Sequence, residues 1–169
     1  MKLAVIVPDK TIIVDDDVVQ PVTHTDISWI PSDVHAMHWD SSTSKGHVEY
    51  IEGATKADGT QKWPEDITEI GIWQQAVTDH ASEKTAAAAA WEAARDHLQE
   101  VKNYRNAQLS WSDWTQGNDS PLSSSKKTEW ATYRQALRDL PATIAADANL
   151  TAKALADNHS HSAWPTKPS

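Results

Sequence analysis

The sequence predicts an α+β fold: a small antiparallel β domain, a long helix and a C-terminal helical hairpin. Three observations predict it. β-Branched runs, some with apolar and polar residues alternating, fill residues 1–53. A three-four apolar step then runs from Ile67 to Val101 through an alanine tract. Finally, two helical stripes flank a polar bend near Gly117, with Trp111, Trp114, Trp130 and Tyr133 placed to clamp them together.

Composition bounds the rest. A chain of 169 residues has room for one medium domain or two small ones. It holds no Phe and two Met, and nine tryptophans partly substitute for the missing hydrophobes. Mean hydropathy is −0.60. Small modules stabilised partly by partners or self-association are the expectation. A net charge of −9 repels duplexes and anionic membranes, so neither nucleic acid nor lipid is an expected partner. The absence of cysteine rules out disulfides and thiolate chemistry and suits a cytoplasmic protein. The apolar run at residues 3–7 is too short for a signal peptide's core.

Taken in order, residues 3–7 and 11–14 read as a hairpin turning at Pro8-Asp9-Lys10. Asp15, Asp16 and Asp17 read as a solvated turn, because three successive carboxylates cannot all face one ion and the glycine of a calcium loop is missing. Residues 27–31, 34–39 and 47–51 read as further strands of a three- or four-stranded antiparallel sheet with Trp29 and Trp39 in its core. Residues 54–63 are small and polar, a linker or a protruding hairpin tip.

From Pro64, with Glu65 and Asp66 in the first turn, a helix is expected to run to about residue 103. Its stripe is Ile67, Ile70, Gln74, Val77, Ala81, Lys84, Ala88, Trp91, Ala94, Leu98 and Val101. So thin a stripe is poorly stable alone. The helix therefore folds back, or pairs with copies of itself or with a partner.

Val101, Tyr104, Ala107 and Trp111 then face Trp130, Tyr133, Leu137 and Leu140 across a bend of turn-forming residues, an αα-hairpin over residues 104–141. Ser123 is the N-cap of the second helix and Pro141 its stop. Residues 142–169 read as a weakly structured tail, with Trp164 packing back onto the hairpin.

The same stretch carries a resemblance. Arg105, Asn106 and Leu109, then Ser112-Asp113-Trp114-Thr115-Gln116, then Asp119, Pro121, Leu122 and Ser123 form its first half. Trp130, Tyr133, Arg134, Gln135, Leu137, Arg138, Asp139, Leu140 and Pro141 complete it. This pattern resembles the C-terminal module of phage tail (fibre) assembly chaperones, whose usual closing Trp-Pro is matched by Trp164-Pro165. Gln108 stands where a leucine is usual, and Lys126 where an acidic residue often follows the cap. Residues 29–39 are similar to a Trp-rich run of small N-terminal modules in phage tail-region proteins.

The resemblance implies a phage tail or tail-fibre assembly chaperone that binds a tail structural protein in the host cytoplasm during assembly. An alternative is a permanent virion component, a tail fibre or baseplate-associated subunit oligomerised through the long helix. A sugar-binding module using exposed tryptophan faces is a third class. Asp113, Trp114, Gln116, Trp130, Tyr133, Arg134 and Arg138 are the candidate protein-binding residues. Trp114, beside a turn rather than in a stripe, has the makings of a recognition hot spot. Arg134 and Arg138, four apart, are expected on one face, either for a partner or in salt bridges to Asp119 and Asp139.

No enzyme, cofactor or metal site is expected. A glycine-rich phosphate loop, a Gly-x-Ser-x-Gly elbow and a cysteine nucleophile are all missing. His35 and His38, three apart in a strand, are expected on opposite faces, and His159 with His161 lack a third ligand. Asp113 has no partner base in the sequence around it.

Overall fold

The computed structural model describes residues 1–169 as two compact units, Met1–Ala94 and Arg95–Ser169. The mixed α+β class holds, with every strand in the first unit.

Six strands, β1 (Lys2–Ile6), β2 (Thr11–Val14), β3 (Asp17–Val19), β4 (Val34–Asp40), β5 (Lys45–Tyr50) and β6 (Glu65–Ile67), form one antiparallel sheet in the order β3-β2-β1-β4-β5-β6. The expected β1–β2 hairpin is present, and Asp15 and Asp16 make the next turn with φ of 48° and 70°. Short polar side chains tolerate that left-handed pair, which matches the twist of the strands it joins. Residues 27–31 are not a strand. The loop carrying Val22, Ile27, Trp29 and Ile30 instead packs on the sheet's inner face, with Trp29 edge-on to Trp73.

Register assigns that inner face: Leu3, Val5, Ile12, Val19, Met37, Trp39 and Val48 pair across strands and are buried. A bulge between Val34 and Ala36 turns Val34 onto the same side. The other face carries Ala4, Ile13, Val18, His38 and His47. Residues 54–63 form a protruding hairpin, closed by a bridge between Thr55 and Gln61.

The long helix differs from its expectation at both ends. Residues Glu65–Ile67 are strand β6, so the chain is still pairing with β5 where the helix was expected to begin. After a short 3₁₀ turn, α1 spans Gln74–Ala94, and α2 (His97–Trp111) starts afresh. The break is a cap: the Asp96 carboxylate accepts from the Gln99 backbone N–H, ending the alanine-rich helix before residue 97. The 3₁₀ turn and α1 also bury a face one step away from the expected stripe, namely Trp73 of the turn and Ala76, Asp79, His80 and Glu83 of α1.

That face is polar, and each polar group on it is matched. Asp79 accepts from Trp29 Nε1 at 2.7 Å and from Gln75 at 2.8 Å. His80 Nε2 lies 2.9 Å from the carbonyl of Asp17. Glu83, 3 % exposed, receives the backbone N–H groups of Thr23, His24 and Thr25 at 2.7–2.8 Å, both threonine hydroxyls, and His24 Nδ1. Burial alone raises a carboxyl, but these donors from His24, Thr23 and Thr25 outweigh it and hold Glu83 far below the ordinary carboxylate range.

Glu83→Gln places an amide NH₂ against N–H donors, so the first unit is expected to lose about 3 kcal/mol at neutral pH, measured by chemical denaturation. The folded carboxyl is depressed, so its stabilisation is full above the ordinary glutamate range. It fades as pH falls below that range, and the gap between wild type and variant narrows in acid.

Candidate functional site

The second unit is α2, a 3₁₀ turn (Asp113–Gln116), α3 (Ser124–Ala146) and α4 (Ala152–Asp157). Ser123 caps α3 as expected, accepting from the Lys126 N–H. Lys126, a cation at the positive end of a helix, is paired with Glu129 at 2.8 Å. Trp130, Tyr133, Leu137 and Leu140 are buried at helical spacing, as the periodicity requires.

Pro141 does not end α3. The helix continues for five residues to Ala146, with Leu140 and Ile144 in the core on either side of the proline. The hydrophobic anchoring offsets the roughly 3 kcal/mol that an internal proline costs. The tail is also more regular than expected. α4 delivers Leu155 to the core, and Trp164 is buried with its Nε1 donating to the Leu155 carbonyl at 3.2 Å. Tyr104 of α2 lies between the tail rings, stacked on His159 at 3.8 Å and edge-on to Trp164 at 4.9 Å. Arg95 joins Glu100 to Asp157. Hydrogen bonds from Lys153 and Arg95 lower the Asp157 carboxyl to about 2.

The bend between α2 and α3 is organised by Arg134. Its guanidinium is buried, and Nη1 donates to the Leu109 carbonyl at 2.5 Å and to Ser112 Oγ at 2.7 Å. Nη2 donates to Asp113 Oδ1 at 2.6 Å. The cation thus adds a charged donor to a C-terminal carbonyl of α2 that also accepts from the Ser112 N–H, where helix partial charge favours it. Ser112 and Thr115, both fully buried, extend the network: Ser112 Oγ donates to Gln108 O and Thr115 Oγ1 to Ser112 O. Lys127 Nζ closes the loop on the Gly117 carbonyl.

This arrangement divides the seven candidate residues. Asp113, Trp114, Gln116 and Arg138 are exposed. Trp130, Tyr133 and Arg134 are interior, so they support a surface rather than form it. Arg134 and Arg138 do not share a face: the first turns inward to the bend and the second points to solvent. Asp113 pairs with Arg134, so neither Asp119 nor Asp139 is its partner.

Trp111, expected in the seam, is 51 % exposed, and Trp114 is 49 % exposed. Both rings sit against buried Trp130, at centroid distances of 5.9 and 6.4 Å. Lys167 of the tail lies 3.7 Å over the Trp111 ring. The three-four step from Val101, Tyr104 and Ala107 predicts Trp111 as inward, whereas Leu109 packs against the core and the Trp111 ring is left at the surface. The result is two half-exposed indoles on a rigid aromatic base, bordered by a carboxylate, an amide and a lysine. Aromatic rings with a polar border are enriched at protein-recognition surfaces in general.

Residues 98–169 match the family model described as phage tail assembly chaperone protein. The matched segment covers nearly all of the second unit, whose boundary is at Arg95. It supports a phage tail assembly chaperone-like protein, which points to a non-enzymatic role. No curated protein and no solved structure matches the chain. No helix is long and apolar enough to cross a membrane.

Arg134→Ala removes the charged donors that join Leu109, Ser112 and Asp113 and is expected to destabilise the second unit by about 2–3 kcal/mol. Arg134→Lys restores only part of this, because an ammonium cannot reproduce the fork. Trp114→Ala changes stability by no more than about 1 kcal/mol. Denaturation followed by tryptophan fluorescence and by circular dichroism checks all three.

Proposed function

We propose that the chain is a phage tail assembly chaperone whose C-terminal unit binds a tail or tail-fibre structural protein through the Trp111 and Trp114 face. The observation that carries this reading is the pair of half-exposed indoles on buried Trp130, inside the chaperone-like segment. Asp113 and Gln116 border the aromatic patch and supply polar contacts that fix orientation. Arg138, two turns along α3 from Trp130, offers a free guanidinium to an acidic rim of the client. Trp130, Tyr133 and Arg134 act indirectly, by holding the indoles in place. The chaperone covers an apolar or strand-edge surface of its client until assembly, in the host cytoplasm, and needs no nucleotide.

A second reading is favoured by the first unit, since Met1–Ala94 lies outside the matched segment and forms a domain of its own. A chain that stays in the virion has use for such a module. Mass spectrometry of purified particles separates the two readings: stoichiometric presence supports a permanent subunit, and absence supports a transient helper.

Co-expression with the neighbouring tail proteins, followed by pull-down, is expected to capture one of them. Trp111→Ala and Trp114→Ala are each expected to weaken capture at least about tenfold while the fold is retained. Full capture by the double variant would overturn the docking surface.

A further inference from the structure

The solvent face of the sheet brings together side chains that lie apart in sequence. His38 of β4 and His47 of β5 are directly paired across the strands, and their rings stack at 5.0 Å with 28° between planes. Glu49 follows two residues after His47 and so points to the same side. Its Oε1 is 3.2 Å from His47 Nε2. One ligand atom from each of the three residues lies within 4.8 Å of the other two.

We propose that His38, His47 and Glu49 form a divalent transition-metal site, with Zn²⁺ as the reference ion. Two imidazoles and a carboxylate suit borderline cations such as zinc and disfavour hard calcium and magnesium. Tetrahedral zinc with metal–nitrogen bonds near 2.0 Å separates neighbouring ligands by about 3.3 Å. The His47 and Glu49 atoms already have this spacing. Rotation about side-chain bonds brings in His38, because the strand backbones fix both histidine Cβ positions across a hydrogen-bonded register.

The surroundings fit a cation with an open position. Three protein ligands leave a fourth place for water or an incoming donor atom. His38 and His47 line a cavity of about 570 Å³ on this face. Asp66 is opposite His47 in β6, and Asp16 lies on the cavity wall. Lys2 and Lys45 also line it, each paired across strands with Asp40. Both lysines lie two residues along the strand from the histidine register, opposite Asp40, whereas Glu49 and Asp66 flank His47 itself. The structure corrects the expected relation of His35 and His38 as well: both are exposed, because the bulge displaces the strand alternation between them. The partner of His38 is His47, not His35.

Calorimetric titration of the metal-free full chain with ZnCl₂ tests the site. One saturable binding event per chain is expected, weakened at least about tenfold in His38→Ala and in His47→Ala. His161→Ala, in the separate histidine-bearing tail, is expected to bind as wild type. In the unmodified chain, Co²⁺ is expected to broaden and shift the ring resonances of His38 and His47 before any other histidine. The proposal is overturned if no saturable zinc binding occurs. It is equally overturned if binding persists unchanged in both histidine variants, or if Co²⁺ first perturbs histidines elsewhere.

Discussion

A guanidinium withdrawn from water has to find acceptors within its own chain, and Arg134 finds a helix terminus. Its bonds to the Leu109 carbonyl, Ser112 Oγ and Asp113 fix where α2 stops and where the bend begins. The bend decides where Trp111 and Trp114 emerge, and Trp130 then holds both from beneath. The exposed surface is thus a consequence of a buried charge. An exposed indole on a mobile loop loses entropy on docking, whereas one held against a fixed ring has already lost it.

The first unit uses the same physics with the opposite sign. Glu83 is a buried anion surrounded by backbone N–H groups and hydroxyls of the loop at residues 23–25. It secures that loop to α1 where a chain with more large hydrophobes would use an apolar contact. With no Phe, both units combine tryptophan-bearing cores with a buried charge, Glu83 in the first and Arg134 in the second, held by several hydrogen bonds. Charges of this kind specify one arrangement strongly, because any other leaves them unpaired.

The division of labour follows from the two units. The second carries the chaperone-like segment and the aromatic surface. The first presents an open sheet face on which histidines and acidic groups converge, a surface of quite different chemistry.

Local patterns in the sequence determined the β1–β2 hairpin, the Ser123 cap and the Trp130, Tyr133, Leu137, Leu140 stripe, since propensity, capping and periodicity are properties of neighbouring residues. The cap at Asp96 was legible in the same way, as an aspartate three residues before a glutamine, but the alanine tract's high helix propensity obscured it. Tertiary structure alone decided which face of α1 is inward, because Asp79, His80 and Glu83 look like a solvated flank until Trp29, the Asp17 carbonyl and the loop at residues 23–25, all at least fifty residues earlier, supply their hydrogen-bond partners. It also decided that Arg134 is interior while Arg138 is free, and that His38 meets His47. Hydrogen-bond partners and cross-strand register join residues distant in sequence, and no one-dimensional period encodes them.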